Sequence, residues 1–139
     1  MNRLCLLGIS LLAISACVPP AAPPAPPPVA AAPYALGSAA NTTNAFDGNY
    51  GTATVRQVSP GCADPRFADV YLTIQNGLAQ AQGPNLTFQG YVTPQGALAM
   101  RSQLGQTFQG QIGPTFVATG RAQGPNCWWD VSWTRVRTL

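Results

Sequence analysis

The hexapeptide TFQGYV at residues 87–92 returns as TFQGQI at residues 107–112, 20 positions later, and this repeat decides the fold. In the first copy the apolar Phe88 and Val92 alternate with polar or aromatic neighbours, and the second copy keeps the same order. A period of two followed by a proline-containing turn is typical of antiparallel strands. A repeat of about 20 residues fits one hairpin of an up-and-down sheet.

The same alternation extends over the rest of the chain from Phe46. The strands predicted from it are 46–58, 70–75, 78–82, 86–92, 97–103, 107–112, 115–121 and 126–136. Asn76-Gly77 predicts a tight hairpin turn, and glycines at 90 and 110 fall in mid-strand, where the coiling of a small barrel needs them. We therefore expect an all-β fold of about eight short strands, either a small antiparallel up-and-down barrel with a filled interior or a coiled sandwich.

The last predicted strand carries most of the aromatic mass. Alternation places one set of its residues on the core face: Cys127, Trp129, Val131 and Trp133. Trp128 then lies on the opposite face, where it either covers the turn near Pro125 or is exposed as an interface anchor. Tyr71 and Tyr91 also fall on the outer faces of their strands, so the candidate binding surface comprises Trp128, Tyr71 and Tyr91.

The first 17 residues have the order of an export signal: a positive start at Arg3, an apolar stretch and then small residues before Cys17. The apolar stretch is shorter than the about 20 residues that span a bilayer. Ile14-Ser15-Ala16-Cys17 resembles the bacterial lipobox. The resemblance implies cleavage before Cys17, acylation of its sulfur and of the new amino terminus, and stable attachment to a membrane. The alternative is an ordinary signal peptide with an incidental cysteine.

The residue directly after Cys17 is Val18. In lipoproteins of enteric bacteria an Asp at this position favours retention in the inner membrane, so the resemblance implies that this chain is located in the outer membrane. From there to about residue 45 the chain is uncharged and rich in Pro and Ala, which predicts a disordered, semi-rigid spacer. A ligand for a Pro-recognising domain is the alternative. The predicted organisation is a signal peptide at 1–16, the lipidated cysteine and linker at 17–45, and a β-barrel-like domain at 46–139.

Cys5 and Cys17 lie in the first segment, which leaves Cys62 and Cys127 for the exported domain. An oxidising compartment favours their pairing, and the loop of about 65 residues would contribute roughly 4 kcal/mol by chain entropy. Two free buried thiols are the alternative.

The charged residues exclude several chemistries. All seven basic residues are Arg, all four acidic residues are Asp, and there is no His. Ser-His-Asp triads, Cys-His pairs, His metal ligands and Schiff-base lysines are therefore absent from the sequence. Asp47 and Asp64 stand in turn-like contexts, and the arginines are too scattered for a nucleic-acid footprint. We expect no catalytic residues, no cofactor, no metal and no nucleic-acid partner.

Three functions remain open. The leading hypothesis is an envelope lipoprotein that is held to a membrane by the acyl chains on Cys17 and displays a non-catalytic binding or structural module. A periplasmic protease inhibitor is the second, because small barrels of the alkaline-protease-inhibitor type are similar in build; the strand at residues 46–51 lacks their Trp. The third is cell-wall or carbohydrate binding through exposed aromatics. The expected partners are thus a membrane and a protein or cell-wall component.

Overall fold

A computed structural model describes residues 30–62 and 69–136 of the chain. The predicted signal peptide, Cys17 and Asp64 lie outside the described residues. The elements are a short 3-10 helix at Ala39–Asn41 and strands β1 (Gly48–Thr52), β2 (Thr54–Val58), β3 (Tyr71–Gln75), β4 (Leu78–Gln82), β5 (Thr87–Val92), β6 (Ala97–Ser102), β7 (Thr107–Ile112), β8 (Val117–Gln123) and β9 (Trp128–Thr134). No helix among these residues has both the length and the hydropathy to cross a bilayer.

All strands pair in one antiparallel sheet of order β1-β3-β4-β5-β6-β7-β8-β9-β2. The two edge strands of that order, β1 and β2, are separated only by Ala53, whose N–H donates to the carbonyl of Val70 at 2.9 Å. The first predicted strand is therefore bent: one half pairs with β3 and the other with β9. This bend closes the up-and-down barrel that the alternation predicted, and it accounts for nine strands where about eight were expected.

The interior of the barrel is filled by large side chains. The largest fully buried side chains are those of Trp133, Tyr50, Phe88, Phe108, Leu72, Ile74, Leu98, Met100, Val70, Val92 and Val131. Trp133 packs edge-to-face on Phe108 with ring centroids 5.2 Å apart, and its indole N–H donates to the carbonyl of Val70 at 2.9 Å. The polar end of the largest core residue is thus satisfied inside the barrel. Trp129 is only partly buried and packs at the margin of this core.

Three glycines let the wall curve around the core. Gly110 and Gly120 lie opposite each other on β7 and β8, and Gly90 has the equivalent inward position on β5. A Cβ on Gly120 would lie 2.6 Å from Cζ of Phe108 and 2.5 Å from Cα of Gly110. At Gly110 and Gly120 the neighbouring backbone and the ring of Phe108 occupy the space that side chains would need, and at Gly90 the backbone of Ala99 does so, as expected for a tightly coiled barrel.

The turns at one end of the barrel are fixed by side chains from the amino-terminal part of the domain. Asn76 and Gly77 have φ of 52° and 73°, as a type I′ hairpin turn requires. The carboxylate of Asp47 accepts both of their backbone N–H groups, at 2.7 and 3.0 Å. Asp47 therefore caps a turn, as its sequence context predicted.

The strand predicted from residue 115 begins two residues later, at Val117. The reason is Phe116, which adopts φ of 56° inside the turn. The guanidinium of Arg135 lies 4.6 Å from the Phe116 ring centroid, and Phe46 meets the same ring edge-to-face at 6.4 Å. These contacts hold a conformation that the sequence pattern does not reveal.

At the opposite end, Cys62 and Cys127 form the predicted disulfide, with Cα atoms 5.9 Å apart. The bond joins the loop after β2 to the start of β9. Next to it the N–H of Ser59 donates to the carbonyl of Trp128 at 3.0 Å, and the Trp128 N–H donates to the Ser59 hydroxyl oxygen at 3.1 Å. The pairing of β2 with β9 therefore continues to the disulfide.

Residues 30–41, which we call the strap, differ from the expectation of a spacer without structure up to residue 45. The strap lies on the outer wall of the barrel, where Leu36 forms a parallel bridge with Gly90 of β5. Its backbone hydrogen bonds to Gln89 are tertiary contacts, which composition alone does not predict. The ordered part of the chain thus begins well before Phe46.

Candidate functional site

The three aromatic candidates lie on the outer surface, in three different surroundings. Trp128 is at the start of β9, Tyr71 at the start of β3, and Tyr91 near the end of β5. In the sheet, the strands β3, β5 and β9 are not hydrogen-bonded to one another. Each is therefore considered separately.

Trp128 is half-buried beneath a charged pair. The guanidinium carbon of Arg121 lies 4.0 Å from the centroid of its ring. Arg121 also donates two hydrogen bonds to the carboxylate of Asp130, at 2.8 and 3.2 Å. Those bonds lower the pKa of Asp130, because they stabilise its charged form. Trp128 thus supports an ion pair on the barrel wall, and the stacked Arg121 occupies one side of its ring.

Tyr71 is the most exposed of the three, with 58% of its surface accessible. It lies between two shallow depressions of about 580 and 320 Å³. Asp69, Gln82 and Pro84 line the larger depression, and the exposed Val136 lines the smaller one. This surface is open, and among its described residues Asp69 supplies a carboxylate.

Tyr91 is half-buried at the side of a groove of about 380 Å³ between the strap and the outer face of β5, β6 and β7. We call this depression the Tyr91 groove. Its lining residues are Gly37, Ser38, Asn41, Tyr91, Thr93, Ala97, Leu98, Ala99, Gln109 and Gly110. The methyl groups of Ala97 and Ala99 leave room for a ligand on a wall that larger side chains would fill.

Among the described residues that line the Tyr91 groove, none has a charged side chain. Its polar side chains are hydroxyls and amides, from Ser38, Asn41, Thr93 and Gln109. Hydroxyls and amides both donate and accept hydrogen bonds without a net charge. The groove is therefore suited to an uncharged ligand with an apolar face and polar edges.

No protein-family model, curated protein or solved structure matches the chain. The functional argument for the Tyr91 groove therefore rests on its own chemistry.

The described carboxylates have separate surroundings. Asp47 binds the Asn76-Gly77 turn, Asp130 binds Arg121, and Asp69 is exposed beside Tyr71. Within residues 30–62 and 69–136, no group of three His, Cys, Asp or Glu side chains could hold a metal ion.

The sequence identified Tyr91 but missed the residues that complete its groove. Ser38 and Asn41 come from the strap, which the composition assigned to the spacer. A weak signal was present, because Ser38 caps the short helix by accepting the N–H of Ala40 at 3.2 Å. Gln109 is the third residue of a repeated hexapeptide, and the alternation placed it outside without indicating a partner.

Proposed function

We propose that this protein is a membrane-anchored envelope lipoprotein whose barrel is a non-catalytic module that binds an uncharged stretch of glycan in the Tyr91 groove. The observation that carries the proposal is the combination of an aromatic wall, an alanine floor and a neutral rim of amides and hydroxyls. The lipobox resemblance at Cys17 supports the anchor and the envelope location.

Sugar rings have apolar C–H faces and hydroxyl edges. An aromatic side chain such as Tyr91 covers the face, while side chains such as Asn41 and Gln109 bond to the edges. Because none of the lining side chains is charged, the groove gives no compensation for the desolvation of a charged ligand group. An uncharged glycan segment therefore fits it better than an anionic polymer.

The size of the groove limits what enters it. Its volume of about 380 Å³ is at the lower end of the range of roughly 300–1,000 Å³ that small-ligand sites occupy. A short segment of a longer chain fits, with the remainder of the polymer passing along the barrel wall. An acylated Cys17 would hold the module beside the cell wall, where such chains are concentrated.

The test is retention of the mature protein on purified cell-wall sacculi and on a neutral chito-oligosaccharide resin. Tyr91→Ala should reduce retention at least tenfold. Tyr71→Ala is the matched control, because it removes an equally large ring from an outer wall outside the groove, and it should bind like wild type.

Equal retention of wild type and Tyr91→Ala would contradict the proposal. Inhibition of metallo- or serine proteases by the same preparation, unchanged in Tyr91→Ala, would favour the protease-inhibitor hypothesis instead. Release of the protein from membranes by Cys17→Ser, with intact-mass analysis of the wild-type amino terminus, tests the anchor separately.

A further inference from the structure

Gln89 has an unusual environment for a residue on the outside of a barrel. Its neighbours Phe88 and Gly90 point inward, so the Gln89 side chain points away from the core, yet only 5% of its surface is accessible. Gln109, at the same place in the second copy of the hexapeptide, is exposed. The two glutamines share their local sequence and strand geometry, so the difference comes from what lies on top of them.

The strap is what covers Gln89. The N–H of Ala32 donates to the side-chain Oε1 of Gln89, and the N–H of Leu36 donates to its backbone carbonyl at 3.2 Å. The Oε1 of a buried side chain thus accepts an N–H of the strap, and this makes the docked position specific, because undocking costs that hydrogen bond.

The next residues of the strap fit closely against the groove. Gly37 has φ of 96°, and a Cβ added to it would lie 3.3 Å from Cβ of Tyr91. Glycine thus permits both the turn of the chain and its approach to Tyr91. The turn is followed by Ser38 and the short helix that ends at Asn41, which place two polar side chains along the groove.

The carboxyl-terminal side of the strap is held by the β3–β4 turn. A Cβ on Gly77 would lie 2.5 Å from Cβ of Thr42 and 2.8 Å from the carbonyl oxygen of Thr43. The chain therefore passes directly over this turn, which Asp47 caps from the other side. The strap is thus fixed at Gln89, and the residues that directly follow it, Thr42 and Thr43, lie close to Gly77.

We infer that Gln89 is a positioning residue for ligand binding: it docks the strap, and the docked strap supplies Ser38 and Asn41 as one wall of the Tyr91 groove. The inference rests on the proposed function for its ligand and adds that the site is complete only in the docked state. A ligand that contacts both the strap and the barrel wall increases the equilibrium constant for docking of the strap. Docking increases the affinity for the ligand by the same factor. The strap and the ligand site are thereby coupled through the side chain of Gln89.

The experiment compares Gln89→Met with Gln89→Glu in the mature protein. Methionine keeps the length of the side chain but removes the acceptor for the Ala32 N–H, whereas glutamate keeps an acceptor oxygen. Gln123→Met, at an exposed position on β8, controls for the loss of a surface glutamine. The first measurement is hydrogen–deuterium exchange of the strap amides without any ligand.

We expect Gln89→Met to lose protection at Ala32 and Leu36 while the barrel amides keep theirs, and Gln123→Met to resemble wild type. Gln89→Glu should retain more strap protection than Gln89→Met, because it keeps the acceptor, but less than wild type, because it buries a carboxylate. Chito-oligosaccharide should bind Gln89→Met about tenfold more weakly than wild type, and it should increase strap protection in wild type.

Unchanged strap protection in Gln89→Met would overturn the docking role. Loss of protection with unchanged affinity would overturn the coupling. A failure of glycan binding in all variants, wild type included, would refute the proposed function. The docking role of Gln89 would still be tested in that case, because the exchange measurement needs no ligand.

Discussion

The glycines inside the barrel wall give the sharpest test of the packing. Gly120→Ala adds one methyl group that points at the ring of Phe108 and at the backbone of β7. The new Cβ would lie 2.5 Å from Cα of Gly110 and nearest of all to the carbonyl oxygen of Gln109. Neither backbone atom can turn aside as a flexible side chain could.

The size of the effect follows from those distances. Ordinary Cβ contacts begin at 3.4 Å, so the methyl group of Gly120→Ala is about 0.9 Å too close to Gly110. The strands must separate and Phe108 must also move, and overpacking of this kind costs roughly 1–3 kcal/mol. We expect the upper end, about 3 kcal/mol, because several atoms are too close at once. In a domain of this size that lowers Tm by roughly 12–24 °C.

The assay is thermal and urea unfolding of the mature protein, with Gly113→Ala as the control. A Cβ on Gly113 meets only the carbonyl oxygen of Val117, at 3.9 Å, which is an ordinary contact. Gly113→Ala should be neutral or stabilise the fold by up to about 1 kcal/mol, because the unfolded chain loses freedom. Equal stability of the two variants would refute the account of how the wall coils around Phe108.

Three further predictions concern stability. Replacing Cys62 and Cys127 together by Ser should lower the free energy of unfolding by about 4 kcal/mol, since the disulfide joins residues 65 positions apart. Urea unfolding measures this difference, and a loss below about 1 kcal/mol would contradict the prediction. The hydrogen bonds from Arg121 lower the pKa of Asp130, so the stability that they contribute is present at neutral pH and is lost as the pH falls through that lowered pKa. The difference in Tm between wild type and Asp130→Asn should therefore be small at pH 7 and should vanish in acid. A difference that grows in acid would be inconsistent with the ion pair. Burial raises the pKa of Tyr50, so the domain should lose stability as the pH rises above about 10, where the unfolded chain deprotonates first. Tyr50→Phe should lower the free energy of unfolding at pH 7 by about 1 kcal/mol, because a hydrogen bond is lost, and it should reduce the loss of stability at alkaline pH. If stability falls as steeply with alkaline pH in Tyr50→Phe as in wild type, the tyrosine is not responsible.

Local sequence signals predicted most of the barrel. Alternation placed Leu72 and Ile74 in the core, and Asn76-Gly77 fixed a hairpin turn, because both effects depend on neighbouring residues. The disulfide of Cys62 and Cys127 followed from counting cysteines. These features need no knowledge of which distant segments meet.

The groove could not be predicted because it depends on distant contacts. The bend at Ala53 has no local marker and appears only when one strand must pair with both β3 and β9. The burial of Gln89 depends on a segment more than 50 residues away, at Ala32, whose composition indicated a spacer. Tyr91 was identified as an outer-face aromatic, but nothing in its own strand indicated that Ser38 would lie opposite it.

The most direct test of the Tyr91 groove is hydrogen–deuterium exchange of the mature protein with and without a neutral chito-oligosaccharide. The ligand should slow exchange in residues 37–41, 91–99 and 109–110, which line the groove, and leave the segments around Tyr71 and Trp128 unchanged. Protection centred on Tyr71 and Val136, or no protection at saturating ligand, would contradict the account.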